Sequence, residues 1–306
     1  MGDKFTIGLY GLGKMGKNIG LNILDKKYDL VVYNRSKDKY ADFNYRATCA
    51  DSVNNFISTL RSKSKNIIVW VMLTAGDPTN DAIAELMVQM VQGDILIDGS
   101  NSRYTDSINN SAKLAQKGIR YLDAGCSGGP SGARNGMSIM VGGDKPSYDR
   151  LENLFSDLSV NEGYLFTGPA GSGHFTKMVH NAIEYGMMQS IAEGLELLSS
   201  GPYKDLSIER ICNLWQHGSV IRSYLVDCAM KAISKDPKLA NIAPYVEDSG
   251  EGRWSVETAI AYGVPLPVIT HSLFERFASR SQIKFANRAL AAMRHEFGGH
   301  DVKLSK

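Results

Sequence analysis

The hydrophobic pattern of the chain changes near its middle. Up to about residue 168, short apolar runs alternate with longer segments whose apolar residues recur every three to four positions. Short apolar runs bounded by turn residues predict buried strands, and the longer period predicts amphipathic helices. The predicted strands cover residues 5–10, 30–33, 67–72, 95–98, 120–124, 138–141 and 164–166, and two predicted helices cover 15–24 and 81–91. Because strands and helices alternate, we expect βαβ units and a mostly parallel sheet.

Strand patterns stop near Gly168-Pro169, and the rest of the chain is typical of helices. These helices are separated by turn residues, which include Gly201-Pro202, Gly218 and Asp236-Pro237. We therefore predict an α/β domain at residues 1–168 and an all-α domain at residues 169–306. The last nine residues, from Gly298, are expected to form an extended tail.

One helical segment of the second half carries reactive side chains on an apolar background. Lys177, Asn181 and Glu184 are spaced to lie on one helix face, and His180 and Tyr185 flank them. A solvated charged face is the ordinary interpretation of such a pattern. Here the neighbouring positions are apolar on nearly every other side, which predicts a buried helix. Buried Lys and Glu are rare unless they are paired or functional, so we predict a functional site on this helix.

Composition excludes several classes of protein. The net charge of +2 gives no electrostatic reason to expect a nucleic acid or membrane partner. No apolar run approaches the roughly 20 residues of a membrane span. The six His and four Cys show no metal-ligand spacing, so no metal site is predicted. The first residues are typical of a strand and not of a leader, and isolated cysteines suit a reducing compartment, so we expect a cytoplasmic protein.

A glycine motif follows the first predicted strand and opens a helix. Gly11 would form the tight turn, Gly13 would let the backbone approach a pyrophosphate, and Gly16 would allow close packing of helix on strand. The helix N-terminus would supply N–H donors to the phosphates. The motif therefore predicts a Rossmann-type dinucleotide site, to which we also assign Met15 and Leu73.

The residues after the second strand bear on which dinucleotide is bound. A carboxylate at position 34 would accept a hydrogen bond from the ribose of NAD, but Asn34 occupies that position. Arg35 and Ser36 can instead contact a 2′-phosphate, and Lys37 adds positive charge nearby. We therefore predict NADP as the cofactor, with NAD as the alternative.

Two polar loops follow later strands, at the sheet edge where α/β proteins bind ligands. Asn101, in the segment Asp98-Gly-Ser-Asn-Ser102, is predicted to contact both cofactor and substrate. Ser127, Gly128 and Gly129 lie in the second loop, where a hydroxyl group and backbone N–H groups can bind an anionic or hydroxylated ligand. Ordinary turns are the alternative for both loops.

Taken together, these motifs resemble the 6-phosphogluconate dehydrogenases of the β-hydroxyacid dehydrogenase superfamily, in their short form. The resemblance runs over nearly the whole chain. It rests on the glycine loop, the two polar loops, the Gly171-x-Gly-x-x-x-Lys177-x-x-x-Asn181 pattern, His180-Asn-x-x-Glu184-Tyr185-Gly and the C-terminal Arg294-His-Glu-Phe-Gly-Gly-His300. It implies a homodimer or a dimer of dimers, a sugar-acid phosphate as substrate, and no metal.

The resemblance also implies roles for individual residues. Lys177 would take the proton of the C3 hydroxyl while hydride leaves for the nicotinamide, and Glu184 would protonate C1 of the enediol that remains after CO2 departs. The implied product is ribulose 5-phosphate, a step of the pentose phosphate pathway and of gluconate utilization. Substrate contacts would come from His180, Asn181 and Tyr185, together with the residues of the two polar loops.

Phosphate recognition is the part of the resemblance where this chain departs from the family. Arg294 and His300 match the tail that binds the substrate phosphate across the dimer. The long form has a Lys where this chain has Ser249. Arg280 is assigned to the substrate site, and Arg253 and Arg276 are further candidates. A 3-hydroxyisobutyrate-type dehydrogenase, which would not need this cationic tail, is the second interpretation. A non-catalytic NADP-binding protein is the third.

Overall fold

The computed structural model describes residues 5–43, 45–282, 284–298 and 301–303. The chain divides into two compact units, Met1–Asn181 and Ala182–Lys306. The predicted boundary after Gly168 stays a prediction, because the units divide further along the chain, inside a long helix. Within the described residues, no helix is both long and apolar enough to cross a membrane, and no cluster of His, Cys, Asp and Glu could hold a metal ion.

The first unit is built on one eight-stranded sheet with the order β3-β2-β1-β4-β5-β6-β7-β8. The strands are β1 Thr6–Tyr10, β2 Asp29–Tyr33, β3 Thr48–Cys49, β4 Ile68–Val71, β5 Ile95–Asp98, β6 Arg120–Ser127, β7 Met137–Gly143 and β8 Ser159–Gly168. Only the β6–β7 pair among them is antiparallel. All seven predicted strands are present, and β3 was missed. The predicted mostly parallel sheet is confirmed.

Helices cover both faces of this sheet. They are α1 Lys14–Asp25, α2 Val53–Lys63, α3 Asp77–Gln89, α4 Tyr104–Ala115, α5 Gly129–Asn135 and α6 Lys145–Leu158, with a short 3-10 helix at Lys37–Phe43. Strand β4 shows the packing clearly. Ile68 and Trp70 belong to one apolar cluster, whereas Val69 and Val71 belong to a second. Since alternate residues of a strand point to opposite faces, the sheet has a core on each side.

The second unit is helical. Helix α7 runs without interruption over Ser172–Ser200, so it begins in the first unit and continues into the second. The further helices are α8 Ile208–Trp215, α9 Tyr224–Lys235, α10 Glu251–Tyr262, α11 Pro267–Arg280 and α12 Phe285–Gly298. The predicted fold class, a Rossmann-type domain followed by an all-α domain, is therefore confirmed.

Two details of the sequence interpretation were wrong. Strand β6 continues through Ser127, and α5 begins at Gly129, so the segment predicted as a single loop after the strand is mostly strand and helix. Helix α7 is not buried on nearly every side, because Phe175, Val179, Ile183, Met187 and Met188 are 36% to 51% exposed. Periodicity identifies an apolar face, but it does not show that the same chain covers it.

Candidate active site

The glycine turn between β1 and α1 has no room for side chains. Gly11 has φ of +106°, and a Cβ there would lie 2.4 Å from the carbonyl oxygen of Met72. A Cβ on Gly16 would lie 2.0 Å from the carbonyl oxygen of Gly11. The first clash would push the turn away from β4, and the second would push α1 away from the turn. The turn therefore keeps the N-terminus of α1 open toward a ligand, as a dinucleotide pyrophosphate requires.

A pocket of about 410 Å³ opens at this turn, at the carboxyl ends of β1, β4 and β5. This volume falls within the range of small-molecule sites. The predicted cofactor residues that line it are Gly11, Gly13, Met15, Gly16, Asn34, Leu73 and Asn101. Leu12, Lys14, Met72, Thr74, Gly99, Ser100 and Cys126 also line it and were not predicted. The residues present fit a dinucleotide, since backbone N–H groups and apolar side chains share one cleft.

Asn34 ties the glycine turn to the end of β2. Its side-chain oxygen accepts a hydrogen bond from the N–H of Leu12 at 2.9 Å, and its side-chain nitrogen donates to the carbonyl of Ser36 at 2.9 Å. Arg35 and Ser36 are exposed. An amide can make both contacts at once because it carries an acceptor and a donor. Both polar groups of the Asn34 side chain are thus used to stabilise the glycine turn. Arg35 is the exposed cation next to it.

The loop after β5 is shaped by a buried carboxylate. Asp98 is inaccessible to solvent and accepts hydrogen bonds from Ser100 N at 3.0 Å, Ser102 Oγ at 2.9 Å and the Tyr121 hydroxyl at 3.2 Å. These contacts hold Asn101 between them at φ of +52°, a backbone conformation that Asn tolerates better than most residues. Such conformations often occur at ligand sites, where the surrounding structure enforces them.

Asn101 is itself fixed against the next strand. Its side-chain oxygen accepts a hydrogen bond from the N–H of Cys126 at 3.2 Å. Cys126 is buried, and that burial raises the pKa of its thiol to about 12, although the nearby charge of Lys177 acts in the opposite direction. The predicted loop residue Asn101, the pocket residue Cys126 and the predicted base Lys177 therefore lie in one neighbourhood of the first unit.

Lys177 lies on the second turn of α7 and is only 5% exposed. Its Nζ donates a hydrogen bond to Oδ1 of Asn181, one helical turn further on. His180 Nδ1 lies 3.0 Å from the same oxygen, and His180 Nε2 lies 3.2 Å from Ser127 Oγ. The structure therefore brings together four predicted residues, Lys177, His180, Asn181 and Ser127, in one hydrogen-bonded chain.

The direction of this chain follows from its chemistry. Oδ1 of Asn181 can only accept, so His180 must donate from Nδ1. In a neutral imidazole the other nitrogen then carries the lone pair, and Nε2 of His180 accepts the hydroxyl proton of Ser127. Gly128 and Gly129 follow Ser127 directly, with φ of +121° and +60°, and lead into α5. Ser127 is thus held by its strand position and by His180.

In the second unit, Glu184 and Tyr185 follow on the same continuous helix. Glu184 is partly exposed, and Tyr185 is 4% exposed. The Tyr185 hydroxyl accepts a hydrogen bond from Ser249 N at 3.1 Å, and its ring lies 3.5 Å from the guanidinium of Arg276. The guanidinium also donates to the carbonyl of Glu247 at 2.8 Å. Tyr185 is therefore fixed at both its ring and its hydroxyl.

The other two candidate arginines share one carboxylate. Arg253 Nε and Arg280 NH2 each lie 2.6 Å from Asp248, whose side chain is 4% exposed. The hydrogen bond from Arg253, which has the larger effect, and the hydrogen bond from Arg280 both lower the pKa of the Asp248 carboxyl. Asp248 therefore stays ionised and holds both guanidinium groups. Arg294 is exposed on α12, and His300 lies outside the described residues.

Sequence reasoning missed one further buried residue near the site. Asp123 lies in the middle of β6 and is inaccessible to solvent. A charged residue within an otherwise apolar central strand is unusual, and that was the available signal. The same signal applies to Asp98, which sequence analysis noted only as part of a loop motif.

The fold and the pocket define a protein with a dinucleotide-binding domain of the Rossmann type, and comparison with known proteins specifies the family. The sequence family "NAD binding domain of 6-phosphogluconate dehydrogenase" matches residues 6–166. The family "6-phosphogluconate dehydrogenase, C-terminal domain" matches residues 173–303. The chain belongs to the 6-phosphogluconate dehydrogenase family.

Relatives of similar length support this membership. YqeC of Bacillus subtilis is 42% identical over 96% of this chain and 98% of its own length. Its name gives it as a 6-phosphogluconate dehydrogenase only provisionally. The NAD(+)-dependent, decarboxylating 6-phosphogluconate dehydrogenase of Haloferax volcanii is 36% identical over 97% of this chain and 98% of its own length. The short form of the family, predicted from the sequence, is therefore confirmed.

Solved structures agree with the fold. The 6-phosphogluconate dehydrogenase of Plasmodium falciparum, described with its cofactor NADP+ and its substrate 6-phosphogluconate, superposes with a TM-score of 0.81 at 28% identity. The match covers 98% of this chain and 66% of that one. A 3-hydroxyisobutyrate dehydrogenase of Salmonella typhimurium gives a TM-score of 0.76 at 18% identity, with 91% and 95% coverage. At that identity the second match shows the fold alone.

Proposed function

We propose that this chain catalyses the oxidative decarboxylation of 6-phosphogluconate to ribulose 5-phosphate and CO2. The observation that carries the proposal is the buried Lys177, which is linked through Asn181 and His180 to Ser127 beside pocket-lining Cys126. A buried lysine in a hydrogen-bonded polar chain next to a dinucleotide pocket suits a general base better than a structural cation.

The proposed reaction has three steps, in which Lys177 and Glu184 have the roles that follow. The bound dinucleotide supplies a hydride acceptor, and Lys177 takes the proton of the C3 hydroxyl as the hydride leaves C3. The product is a 3-keto acid, and the protonated Lys177 then donates a hydrogen bond to the keto oxygen. This contact stabilises the enolate that forms when the bond from C2 to the carboxyl carbon breaks and CO2 departs. Transfer of the Lys177 proton to the enolate oxygen gives an enediol. Glu184 finally protonates C1 of this enediol, the former C2 of the substrate, while the hydroxyl proton returns to Lys177.

Recognition of the substrate phosphate is assigned to arginines. Arg280 and Arg294 supply guanidinium groups that can bind phosphate through paired hydrogen bonds, and His300 is proposed to assist. Ser249 stands where the long form has Lys, and Arg253 lies close by because Asp248 holds it together with Arg280. Asp248 thus concentrates two cations near the position of the missing lysine.

For the cofactor we propose NADP in preference to NAD. Arg35 is exposed next to Asn34, which lines the dinucleotide pocket, and no carboxylate stands at position 34 to bind a free ribose 2′-hydroxyl. The relative from Haloferax volcanii is named NAD(+)-dependent. The preference of this chain therefore rests on Arg35 itself.

We also propose a homodimer that acts in the cytoplasm. An exposed apolar stripe runs along α7, with one member every four residues: Phe175, Val179, Ile183 and Met187. The other described residues leave this stripe exposed to solvent. A second copy of the chain would cover it. The four cysteines are free, as suits a reducing compartment.

The second candidate function is that of a 3-hydroxyisobutyrate-type dehydrogenase. The observation in its favour is the fold shared with such an enzyme from Salmonella typhimurium. The cluster of Arg253 and Arg280 at Asp248 argues against it, because two cations share one carboxylate and a small hydroxyacid has no phosphate to match the remaining positive charge. A non-catalytic dinucleotide-binding protein would not need the buried Lys177.

An absorbance assay at 340 nm separates these possibilities. The chain is incubated with 6-phosphogluconate or 3-hydroxyisobutyrate, each with NADP and with NAD, and released CO2 is trapped in parallel. We expect reduction of NADP with 6-phosphogluconate and an equal amount of CO2. Turnover of 3-hydroxyisobutyrate alone, or reduction without CO2, would overturn the proposal.

A further inference from the structure

The start of helix α7 is held by a carboxylate from a distant part of the chain. Oδ1 of Asp123 accepts the N–H of Gly171 at 2.7 Å, and Oδ2 accepts the N–H of His174 at 2.8 Å. The N–H groups at a helix start have no partner within the helix, and a carboxylate there is also favoured by the helix dipole. Asp123 therefore uses both of its oxygens to fix the first turn of the helix that carries Lys177.

This arrangement differs from an ordinary helix cap. The usual capping residue immediately precedes its helix, as Asp144 does where it accepts the N–H of Ser147 at 3.0 Å at the start of α6. Asp123 instead reaches α7 from strand β6, 48 residues before Gly171. The contact consequently fixes the backbone of the helix start to the middle of the sheet, whereas the backbone N–H that Asp144 accepts belongs to its own helix, and its further partner outside that helix is the exposed side chain of Arg120.

The same strand also supports the lysine. A Cβ on Gly125 would lie 2.4 Å from Cβ of Lys177, so the lysine side chain packs directly on the backbone of β6. A Cβ on Gly173 would lie 2.4 Å from the carbonyl oxygen of Asp123. Both approaches are possible only because glycine leaves these places empty. Asp123, two residues before Gly125 on β6, therefore sets the distance between Lys177 and this strand.

Burial makes the contact rigid. Asp123 is inaccessible to solvent, and that burial raises the pKa of its carboxyl, while the charge of His174 and the two N–H groups act in the opposite direction. The His174 ring is buried as well, and its Nδ1 lies 2.7 Å from Ser107 Oγ on α4. Because both side chains are buried, bulk solvent does not compete for the two N–H groups that Asp123 accepts.

We propose that Asp123 is a positioning residue for Lys177. It sets where Nζ lies relative to strand β6, whose Cys126 lines the dinucleotide pocket. The inference rests on the proposed function in one respect, since that function makes Lys177 the base. Asp123 touches neither substrate nor cofactor in this role and acts only through the placement of α7.

The test compares two chemically identical changes, Asp123→Asn and Asp144→Asn. Asp123 accepts two backbone N–H groups through separate oxygens, so in Asp123→Asn one of them loses its acceptor. Asp144 accepts one backbone N–H, which the remaining amide oxygen of Asp144→Asn can still accept. Asp144 serves as the control because α6 carries none of the proposed site residues. We expect Asp123→Asn to unfold at a lower temperature than the wild type because a buried N–H loses its acceptor, whereas Asp144→Asn should stay closer to the wild type because Asn and Asp cap helices about equally well.

Only Asp123→Asn should change the site itself. A misplacement of about 1 Å in a reacting group can cost on the order of 100-fold in rate, so we expect kcat to fall by about 10- to 100-fold at a temperature where the variant is folded. Dinucleotide affinity should stay that of the wild type. Lys177, shielded in the wild type, should be modified faster by an amine-reactive reagent, with the modified peptide quantified by mass spectrometry.

The modification rate separates this inference from the proposed function. If the wild type does not oxidise 6-phosphogluconate, the proposed function fails, and faster modification of Lys177 in Asp123→Asn alone would still support positioning. Equal kcat and equal modification of Lys177 in the two variants would overturn the proposal that Asp123 positions Lys177. If Asp123→Asn does not fold, Asp123→Ser, which keeps one small acceptor, is measured against Asp144→Ser with the same two outcomes.

Discussion

At the scale of single residues, the site depends on how strongly each reactive side chain is constrained. Lys177 is buried and bonded to Asn181, and Asn181 is shared with His180. Arg35 and Glu184, in contrast, are at least partly exposed. Constrained groups are expected to tolerate no substitution, whereas the exposed groups can be changed without disturbing the fold. The two exposed residues therefore give the cleanest tests of individual roles.

Glu184→Gln should lower kcat by about 10²- to 10⁴-fold with 6-phosphogluconate, because the amide keeps the shape of the side chain but cannot donate the proton to C1. Steady-state kinetics measures kcat and KM separately. Glu193→Gln is the matched control, since Glu193 is exposed further along α7 and bonded to Gln189. An unchanged kcat with a raised KM would make Glu184 a binding residue instead.

Arg35→Ala should weaken NADP much more than NAD. A charge-assisted hydrogen bond contributes about 1.5–3 kcal/mol, so the ratio of the two affinities should change by roughly 10- to 150-fold. Fluorescence titration of both cofactors measures the ratio directly. Lys37→Ala removes the same charge two residues further on and should change the ratio far less. Equal losses for both cofactors, or a wild type that already prefers NAD, would contradict the assignment.

At the scale of whole elements, the sequence predicted most of the sheet because strong apolar runs mark buried strands. Strand β3 was missed because two residues, Thr48 and Cys49, are too few to make a pattern. Strand β6 was predicted too short because Gly125 and Ser127 are typical of a turn, yet they pair with Met140 and Ser138 of β7. Strand pairing overrode local propensity there, as it often does.

The candidate site was predicted to the extent that local motifs carry it. The glycine turn and the spacing of Lys177 and Asn181 are visible in the sequence because they depend on neighbouring residues. The contact of Ser127 with His180 and the contact of Asp123 with α7 join residues about 50 positions apart. Single-sequence patterns contain no information on such pairs, so they required the structure.

An element-scale prediction concerns Asp94, which lies just before β5 and is inaccessible to solvent. Its carboxylate accepts two hydrogen bonds from Arg61 at 2.8 and 2.6 Å and backbone N–H groups of Ile67 and Val91. These contacts join α2, the entry to β4 and the end of α3. Asp94→Ala leaves a half-buried guanidinium and two N–H groups without their acceptor.

We expect Asp94→Ala to lower the free energy of unfolding by about 3–5 kcal/mol, the usual cost of breaking such a buried pair. Urea denaturation followed by circular dichroism measures the change. Asp149→Ala, which removes the partner of Lys145 in an exposed i,i+4 pair, should cost less than about 1 kcal/mol. Equal effects of the two substitutions would show that Asp94 is not a structural anchor.

At the scale of the whole molecule, the proposed homodimer leads to a prediction about how Arg294 reaches the substrate. Arg294 lies near the end of α12 and is exposed, and the helix ends at Gly298, a residue type that is common at helix C-termini. An arginine at this place has no fixed anionic partner among the described contacts of α12. The proposed dimer gives it one, the substrate phosphate in the site of the other subunit.

Mixing two inactive variants tests this arrangement. Lys177→Ala removes the base of its own subunit, and Arg294→Ala removes the phosphate contact proposed for the partner's site. In a mixed dimer with crossing tails, one site carries both defects and the other carries neither, so activity should return toward one wild-type site per mixed dimer. Subunits are exchanged by mild denaturation and renaturation, and mixed dimers are isolated with two different affinity tags. Each variant exchanged with itself is the control and should stay inactive. If isolated mixed dimers also stay inactive, Arg294 serves its own subunit, because each site then carries one of the two defects.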